Sequence, residues 1–204
     1  MTKIILDTDL DLNEVLEFAK EKHKGQKRDD GRDYIIHPMR VAKIVDDYKG
    51  KNSSNRKVLF AAALLHDTLE DTYTSYRELV ENFGEYVASL VLELTTAKYA
   101  CNYIGKAQYL EEKMEHMTSY ALTIKLADRL DNLTDMAGCK PEKQQKMIND
   151  TIYILSHLEK NRELTKSQQE LSKAIKKEIN LFFEKQEIKN KSKELETKVA
   201  YKKW

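Results

Sequence analysis

Cysteine, proline and glycine are scarce in this chain. The 204 residues include two cysteines, two prolines and six glycines. Cys101 and Cys139 lie far apart and lack the Cys-x-x-Cys spacing of zinc or redox motifs, a pattern typical of reduced thiols in a cytoplasmic protein. Because hairpins need glycine and proline at their turns, the scarcity of both favours helices over an antiparallel sheet.

An excess of charge of one sign is also missing. The chain has 35 basic and 34 acidic side chains and a formal net charge of +1. No global field would therefore attract nucleic acid or anionic lipid. The first residues lack the apolar core of a signal peptide, and no apolar stretch has the length of a membrane span. We expect a cytoplasmic protein with neither nucleic acid nor membrane as a partner.

Apolar residues recur at helical spacing along most of the chain, which predicts an all-α fold. Asp11 or Asp9 is a suitable N-cap for the first helix. Ser75-x-x-Glu78 is a capping box, and Gly84 is suited to end the helix that this box begins. Around residues 97–105 the periodicity lapses, which predicts a loop.

Proline and charge patterns predict the ends of other elements. Pro38 is suited to begin a helix, with residues 34–37 extended before it. The last amphipathic helix starts near Thr165 and is expected to fade into a charged tail from about Lys185, frayed or docked on a neighbouring subunit of a homo-oligomer. We therefore divide the chain into a core, residues 1–160, and a C-terminal helix with its tail, residues 161–204.

The most informative run of residues is His66-Asp67-Thr68-Leu69-Glu70-Asp71. It follows an almost wholly apolar segment, residues 58–65, which predicts a buried helix. Ionised groups beside a core are costly unless they are paired or bound to a metal. A divalent cation would supply a reason for this cluster, and phosphate chemistry is a common use of such a cation.

Two further residues complete a candidate metal site. His37 precedes Pro38, and Asp128 lies on a predicted helix among apolar neighbours. Together with His66 and Asp67 they form a mixed nitrogen and oxygen set suited to Mn²⁺, Fe²⁺ or Zn²⁺, with positions left for water and substrate. The lack of cysteine ligands argues against a structural zinc site. Spacing alone does not show that the four residues converge.

Four blocks carry a resemblance to a known family. In chain order they are His23-Lys-Gly-Gln-Lys-Arg28, Tyr34-Ile-Ile-His-Pro-Met-Arg-Val-Ala42, Ala63-Leu-Leu-His-Asp-Thr-Leu-Glu-Asp-Thr72 and Lys125-Leu-Ala-Asp-Arg-Leu-Asp-Asn132. The chain resembles the HD phosphohydrolase superfamily and, within it, the hydrolase domain of Rel/Spo-type alarmone enzymes. The resemblance covers residues 10 to about 160, and the His-Asp doublet followed by Thr-x-Glu-Asp is specific to this branch. It implies a single-domain HD-type helical bundle of about eight to ten helices.

The resemblance also implies an activity. It would be the removal of the 3′-pyrophosphate from guanosine 3′,5′-bis(diphosphate), or from its pentaphosphate relative, to give GDP or GTP plus pyrophosphate. One Mn²⁺ would be held by the four ligand candidates, His37, His66, Asp67 and Asp128. Glu70 and Asp71 would position and activate the attacking water. The residues expected to contact the nucleotide are Arg28 and Lys27 near the base or phosphates, Asn132 at the sugar, and Arg129.

Several positions depart from the family pattern and leave the substrate open. Asp29 stands where a lysine is common, which exchanges a cation for an anion beside the expected nucleotide. Thr134 replaces a common arginine, and Lys146 or Met147 replaces a tyrosine. A related phosphohydrolase acting on an adenosine alarmone or NADPH therefore remains an alternative. A non-catalytic nucleotide-binding module is a third, although no metal or water-activating residue is lost.

Overall fold

Helices make up the described architecture. The computed structural model describes the backbone of residues 10–49 and 55–201, and the side chains of these residues as far as Lys191. Within these ranges the chain forms eleven α-helical segments and no β-strand. Nine of the segments have eight residues or more, and the other two are shorter. The prediction of an all-α bundle of about eight to ten helices is therefore confirmed.

The helices follow one another with short connections. The first six are α1 (Leu12–Lys22), α2 (Ile36–Lys49), α3 (Arg56–Leu65), α4 (Thr68–Asp71), α5 (Tyr76–Phe83) and α6 (Glu85–Leu94). The remaining five are α7 (Lys98–Ile104), α8 (Lys106–His116), α9 (Ser119–Thr134), α10 (Pro141–Asn161) and α11 (Lys166–Tyr201). A 3₁₀ turn, Met136–Gly138, connects α9 to α10.

The predicted caps form as expected. The Asp11 side chain accepts a hydrogen bond from the Asn13 backbone N–H at 2.8 Å. The Ser75 hydroxyl accepts one from the Glu78 backbone N–H at 3.1 Å. Gly84 ends α5 with a φ of +86°, a conformation that residues with a Cβ rarely adopt. Asp9, the alternative cap of α1, lies outside the described residues.

Helix α3 lies at the centre of the core. Seven of its ten residues are buried, all of them apolar. It packs against α1, α2, α6 and α9, so apolar side chains are needed on every side of it. The C-terminal end of α3 delivers His66 and Asp67 to the point where α2 and α9 also pack together. The fold thus brings three distant sequence blocks to one place.

The prediction of a loop around residues 97–105 is wrong, because Lys98–Ile104 forms α7. None of its residues is buried, and Tyr99 and Tyr103 are almost fully exposed. A helix that buries nothing carries no apolar periodicity, which is the pattern on which the sequence prediction relied. Gly105 ends it with a φ of +91°.

The predicted start of α2 is also wrong. The helix begins at Ile36, so His37 and Pro38 are its second and third residues, and residues 34–37 are not extended. Proline is tolerated in a first helical turn because the N–H groups there have no partner within the helix. The His37 backbone N–H instead donates to the Tyr34 carbonyl at 2.9 Å.

Helix α11 does not fade near Lys185 but continues to Tyr201. Its buried face packs on α9 and belongs to the same core as the preceding helices; it consists of Leu171, Ile175, Ile179 and Phe182. The division at residue 160 therefore separates helices that share one core. Among the described helices, none combines the length and the apolar character that a bilayer span requires.

Candidate active site

Three of the four predicted metal ligands bring their donor atoms together. One donor atom each from His37, His66 and Asp128 lies within 4.8 Å of the other two. Asp128 Oδ1 is 3.3 Å from His37 Nε2 and 3.9 Å from His66 Nε2. Ligands bound at about 2.1 Å to one ion lie about 3–4 Å from one another, so these separations suit a shared cation.

Asp67, the fourth predicted ligand, borders the same space. Its Oδ2 lies 3.0 Å from His66 Nε2 and 3.7 Å from His37 Nε2. The same oxygen accepts a hydrogen bond from the Tyr34 hydroxyl at 2.6 Å. Burial raises the pKa of Asp67, but the neighbouring imidazoles outweigh it and hold the pKa well below the usual range. Asp67 is therefore an ionised carboxylate that could bind a metal and that Tyr34 holds in position.

The state of His66 supplies a test of whether a metal fits. Its Nδ1 lies 2.8 Å from the Ala63 carbonyl, which can only accept, so this nitrogen carries the proton. Its Nε2 is buried and, although Asp67 Oδ2 lies 3.0 Å away, it has no hydrogen-bond partner among the described residues. A buried polar atom without a partner is costly, whereas a lone pair on Nε2 is what a cation binds. The donor set fits a divalent cation.

His37 lies between two carboxylates of α9. Its Nε2 is 3.3 Å from Asp128 Oδ1, and its Nδ1 is 2.6 Å from Asp131 Oδ2. Burial lowers the pKa of His37, but Asp128 and Asp131 outweigh it and raise the pKa to about 9. Without a cation, His37 is therefore protonated at neutral pH, and a bound cation would take the place of the proton at Nε2.

A buried lysine balances the negative charge of the cluster. Lys125 Nζ lies 3.1 Å from Asp128 Oδ2, and both side chains are largely buried. Burial raises the pKa of Asp128, but the charge of Lys125 and the hydrogen bond to His37 hold it well below the usual range. The second oxygen, Oδ1, faces both imidazoles and accepts from Asn132 Nδ2 at 2.6 Å.

Glu70 and Asp71 lie on the one-turn helix α4, directly after the metal ligand candidates. Glu70 Oε2 accepts a hydrogen bond from the Thr96 backbone N–H at 2.8 Å. Asp71 Oδ1 pairs with Lys98 Nζ at 2.8 Å, and the same ammonium group donates to the Glu70 carbonyl at 3.0 Å. Both carboxylates line the cavity beside His37, Asp67 and Asp128. Thr96, between α6 and α7, and Lys98, the first residue of α7, thus fix their orientation.

The cavity has a volume of about 350 Å³. Three of the predicted nucleotide contacts, Arg28, Arg129 and Asn132, line it. Arg28 donates to Asn132 Oδ1 at 3.2 Å and pairs with Asp135 at 3.3 Å. Arg129 is largely buried and donates to the Thr151 hydroxyl at 3.1 Å. Lys27 is not among the lining residues, because its ammonium group pairs with exposed Asp33 at 2.6 Å.

Asp29, the unusual anion of the sequence, also lines the cavity, but it has a cationic partner. Lys143 Nζ lies 2.6 Å from Asp29 Oδ2, and the Cys139 thiol donates to the same oxygen at 3.1 Å. These two hydrogen bonds hold the pKa of Asp29 below its ordinary value. Helices α8 and α10 contribute further cations to the cavity, namely Lys106 and Lys146.

Three residues of the site were not predicted from the sequence as part of it. Tyr34 holds Asp67, Lys125 pairs with Asp128, and Asp131 holds His37. All three lie inside the sequence blocks that carry the family resemblance, which is the signal that could have identified them. Their roles depend on contacts between helices, and these contacts do not follow from spacing along the chain.

Comparison with known proteins identifies relatives of the chain. A guanosine-3′,5′-bis(diphosphate) 3′-pyrophosphohydrolase of Aquifex aeolicus is 39% identical over 157 residues, which cover 72% of this chain and 21% of that protein. A second relative is the guanosine-3′,5′-bis(diphosphate) 3′-pyrophosphohydrolase MESH1 of Xenopus tropicalis. It is 40% identical over 131 residues, which cover 63% of this chain and 71% of that one. This chain thus spans about a fifth of the length of the Aquifex aeolicus relative.

A solved structure supports the same kinship. It is described as a metazoan ortholog of SpoT that hydrolyzes ppGpp, and it matches with a TM-score of 0.69 at 25% identity, covering 87% of this chain and 98% of that one. A family model described as the HD domain matches residues 15–165. Since this match extends over well more than half of the chain, the protein belongs to the HD domain family.

Proposed function

We propose that this protein is a metal-dependent hydrolase that removes the 3′-pyrophosphate from guanosine 3′,5′-bis(diphosphate) or its pentaphosphate relative. One observation carries the proposal: His37, His66, Asp67 and Asp128 surround one space, in a cavity that Glu70 and Asp71 also line. The names of the relatives from Aquifex aeolicus and Xenopus tropicalis support the choice of substrate. The products would be GDP or GTP and pyrophosphate.

The charge distribution of the cavity supports a substrate with several phosphates. The carboxylates of the candidate metal site come from α9 and the segment between α3 and α4, whereas α8 and α10 contribute Lys106, Lys143 and Lys146. Lys143 and Lys146 pair with Asp29 and Asp150, and no ion pair of Lys106 is observed within the described residues. Cations beside a metal site suit a nucleotide that carries phosphates at two positions.

We propose Mn²⁺ as the resident cation, held by His37, His66, Asp67 and Asp128. Two imidazoles with two carboxylates form a donor set of the kind that binds Mn²⁺, Fe²⁺ or Zn²⁺. When bound, such a cation lowers the pKa of water and withdraws charge from a phosphoryl oxygen.

Glu70 and Asp71 are the proposed catalytic pair. The Thr96 backbone N–H holds one oxygen of Glu70, which leaves Oε1 to take a proton from the attacking water. The water oxygen bonds to the phosphorus next to the 3′-oxygen, and the bond between that phosphorus and the 3′-oxygen breaks. The leaving 3′-oxygen then receives the proton that Glu70 took from the water, either directly from Glu70 or through Asp71. The ion pair with Lys98 would hold Asp71 in place beside Glu70.

The proposed substrate contacts follow the cavity wall. Arg28 lies over the ring of Tyr34, 5.9 Å from its centre, and offers a flat cationic surface for a base. Asn132 is suited to the sugar, and Arg129 to a phosphate, because its guanidinium makes one observed hydrogen bond and has further N–H groups to donate. Lys27 would have to leave Asp33 to reach the nucleotide.

An activity panel tests the proposal. The Mn²⁺-loaded protein is offered guanosine alarmones, adenosine alarmones and NADPH, and released pyrophosphate and phosphate are measured separately. We expect pyrophosphate from the guanosine alarmones and its loss after chelation. Preferential turnover of an adenosine alarmone or NADPH would replace the substrate while keeping the reaction class. Absence of turnover with all three, in protein shown to hold metal, would favour a non-catalytic nucleotide-binding module.

The location and the partners of the protein can also be inferred. We infer a cytoplasmic protein that acts on a small nucleotide, with no nucleic-acid or membrane partner. The support is that Cys101 and Cys139 are both free thiols, and that the sequence carries almost no net charge.

A further inference from the structure

The two imidazoles of the proposed metal site are held by different kinds of acceptor. His66 Nδ1 donates to the neutral carbonyl of Ala63 at 2.8 Å. His37 Nδ1 donates to the carboxylate of Asp131 at 2.6 Å. A hydrogen bond to an ionised acceptor is stronger than one to a neutral acceptor, and it makes the other ring nitrogen a better electron donor. His37 is therefore the more strongly polarised of the two imidazoles.

Asp131 is itself held rigidly. It is 3% exposed, and both of its oxygens accept from Arg40: Nε donates to Oδ1 at 2.6 Å and a terminal nitrogen donates to Oδ2 at 3.0 Å. Arg40 lies one turn after His37 on α2. One helix thus provides both the imidazole and the guanidinium that orients its partner. A buried carboxylate is tolerated only with such pairing.

The position of Asp131 on α9 decides how it acts. Asp128 lies one turn before it and faces His37 Nε2, the nitrogen aimed at the metal space. Asp131 faces Nδ1 of the same ring and is not among the residues that line the cavity. It therefore acts through His37 and touches neither substrate nor reacting atoms.

We propose that Asp131 is a positioning residue that strengthens metal binding through His37. It keeps the proton of the neutral ring on Nδ1, directs the unprotonated Nε2 to the cation, and is fixed in its rotamer by Arg40. The inference rests on the proposed metal site, because without a bound cation the orientation of His37 would have no such use.

Metal titration of the full chain tests this role. Mn²⁺ is titrated into chelator-treated protein, with Asp131→Leu, Asp131→Asn and Arg40→Met as variants. We expect Asp131→Leu, which is similar in size but cannot accept a hydrogen bond, to weaken Mn²⁺ binding by about 10- to 100-fold. Asp131→Asn keeps an acceptor without the charge and should lose less. Asp46→Asn, which breaks a carboxylate–arginine pair between α2 and α3, is the control and should bind like the wild type.

A second readout separates positioning from a purely structural role. The Mn²⁺ concentration for half-maximal turnover should rise in Asp131→Leu, while turnover at saturating Mn²⁺ stays within roughly threefold of the wild type. Unchanged Mn²⁺ affinity in Asp131→Leu would overturn the inference. If that variant does not fold, as judged by circular dichroism, unchanged affinity in both Asp131→Asn and Arg40→Met has the same meaning. A wild-type protein that binds no divalent metal would overturn the proposed site itself.

Discussion

Asp29 and Lys143 form an ion pair at 2.6 Å across the cavity wall, although 113 residues separate them along the chain. The pair changes what the sequence implied for Asp29. An unpaired carboxylate would repel a substrate with two diphosphates, whereas a carboxylate beside an ammonium group presents almost no net charge. Lys143 on α10 thus supplies a cation close to the point where the family commonly carries a lysine at position 29.

The first prediction follows from this pair. Lys143→Met should leave Asp29 unpaired and raise the KM for guanosine alarmone by about 2- to 5-fold, since both side chains are about half exposed. Asp29→Asn should free Lys143 and lower KM, with kcat little changed in both variants. Steady-state kinetics at low and high salt check this, because salt should shrink both effects. Lys43→Met, which breaks an exposed pair on α2, is the control. A higher KM for Asp29→Asn would make Asp29 a direct recognition element.

The second prediction concerns water activation. Glu70→Gln keeps an oxygen that can accept from Thr96 but removes the base, so turnover should fall by roughly 10²-fold or more while bound metal remains. Asp67→Asn should instead empty the metal site. Metal analysis together with turnover separates the two effects. Glu81→Gln, on the exposed face of α5, controls for charge loss. Near-normal turnover in Glu70→Gln would mean that another group activates the water.

The third prediction is that activity depends on a divalent cation. After exhaustive chelation, with metal analysis confirming removal, turnover should be lost, and Mn²⁺ should restore it. His66→Ala should need far more Mn²⁺ for the same rate, because the variant lacks the buried Nε2, for which the described part of the chain offers no hydrogen-bond partner. Full turnover in metal-free protein would contradict both the metal site and the role given to His66.

The fourth prediction concerns stability and pH. Asp135 pairs with Arg28, Arg32 and Arg40; burial raises its pKa, but Arg40 and Arg32 outweigh this and lower it to about 2, from an ordinary value of 3.8. Because the folded-state pKa is depressed, the stabilisation is complete above pH 3.8 and is lost as the pH falls through about 2.

Asp135→Asn should therefore lower the free energy of unfolding at pH 7 by about 1–2 kcal/mol, and by progressively less as the pH falls below 3.8. Urea denaturation at several pH values measures this. The comparison variant is Asp47→Asn, whose pair with Lys43 is exposed to solvent and should contribute much less. An equal effect of both variants at pH 7 would show that the arginine cluster contributes little to folding.

The sequence predicted the parts of the fold that local chemistry determines. Asp11, Ser75 and Gly84 act within a few residues of themselves, and each caps a helix as expected. Helix α7 was missed because it buries nothing. The continuation of α11 past Lys185 was missed for a related reason, since alternating lysine and glutamate carry little apolar periodicity.

The residues of the site likewise fall into those that the sequence predicted and those that depend on how the helices pack. Family motifs identified His37, His66, Asp67 and Asp128, and the structure brings their side chains together. The partners Tyr34, Lys125 and Asp131 depend on how α2, α3 and α9 pack. The ion pair between Asp29 and Lys143 joins a loop to a helix more than a hundred residues away. A single sequence contains no direct signal for such a pairing.

One helix, α9, carries much of this chemistry within about two turns, and it therefore limits how the gene can change. Its contributing residues are Lys125, Asp128, Arg129, Asp131 and Asn132, and Asp135 follows directly as its C-cap. Each residue advances a helix by about 100°, so one inserted codon between Asp128 and Asp131 would turn Asp131 away from His37 while Asp128 stayed in place. Substitutions can alter these side chains one at a time, but an insertion or deletion would misalign several together. We expect homologous proteins that keep the metal site to differ in the amino acids of α9 but not in the length of this segment.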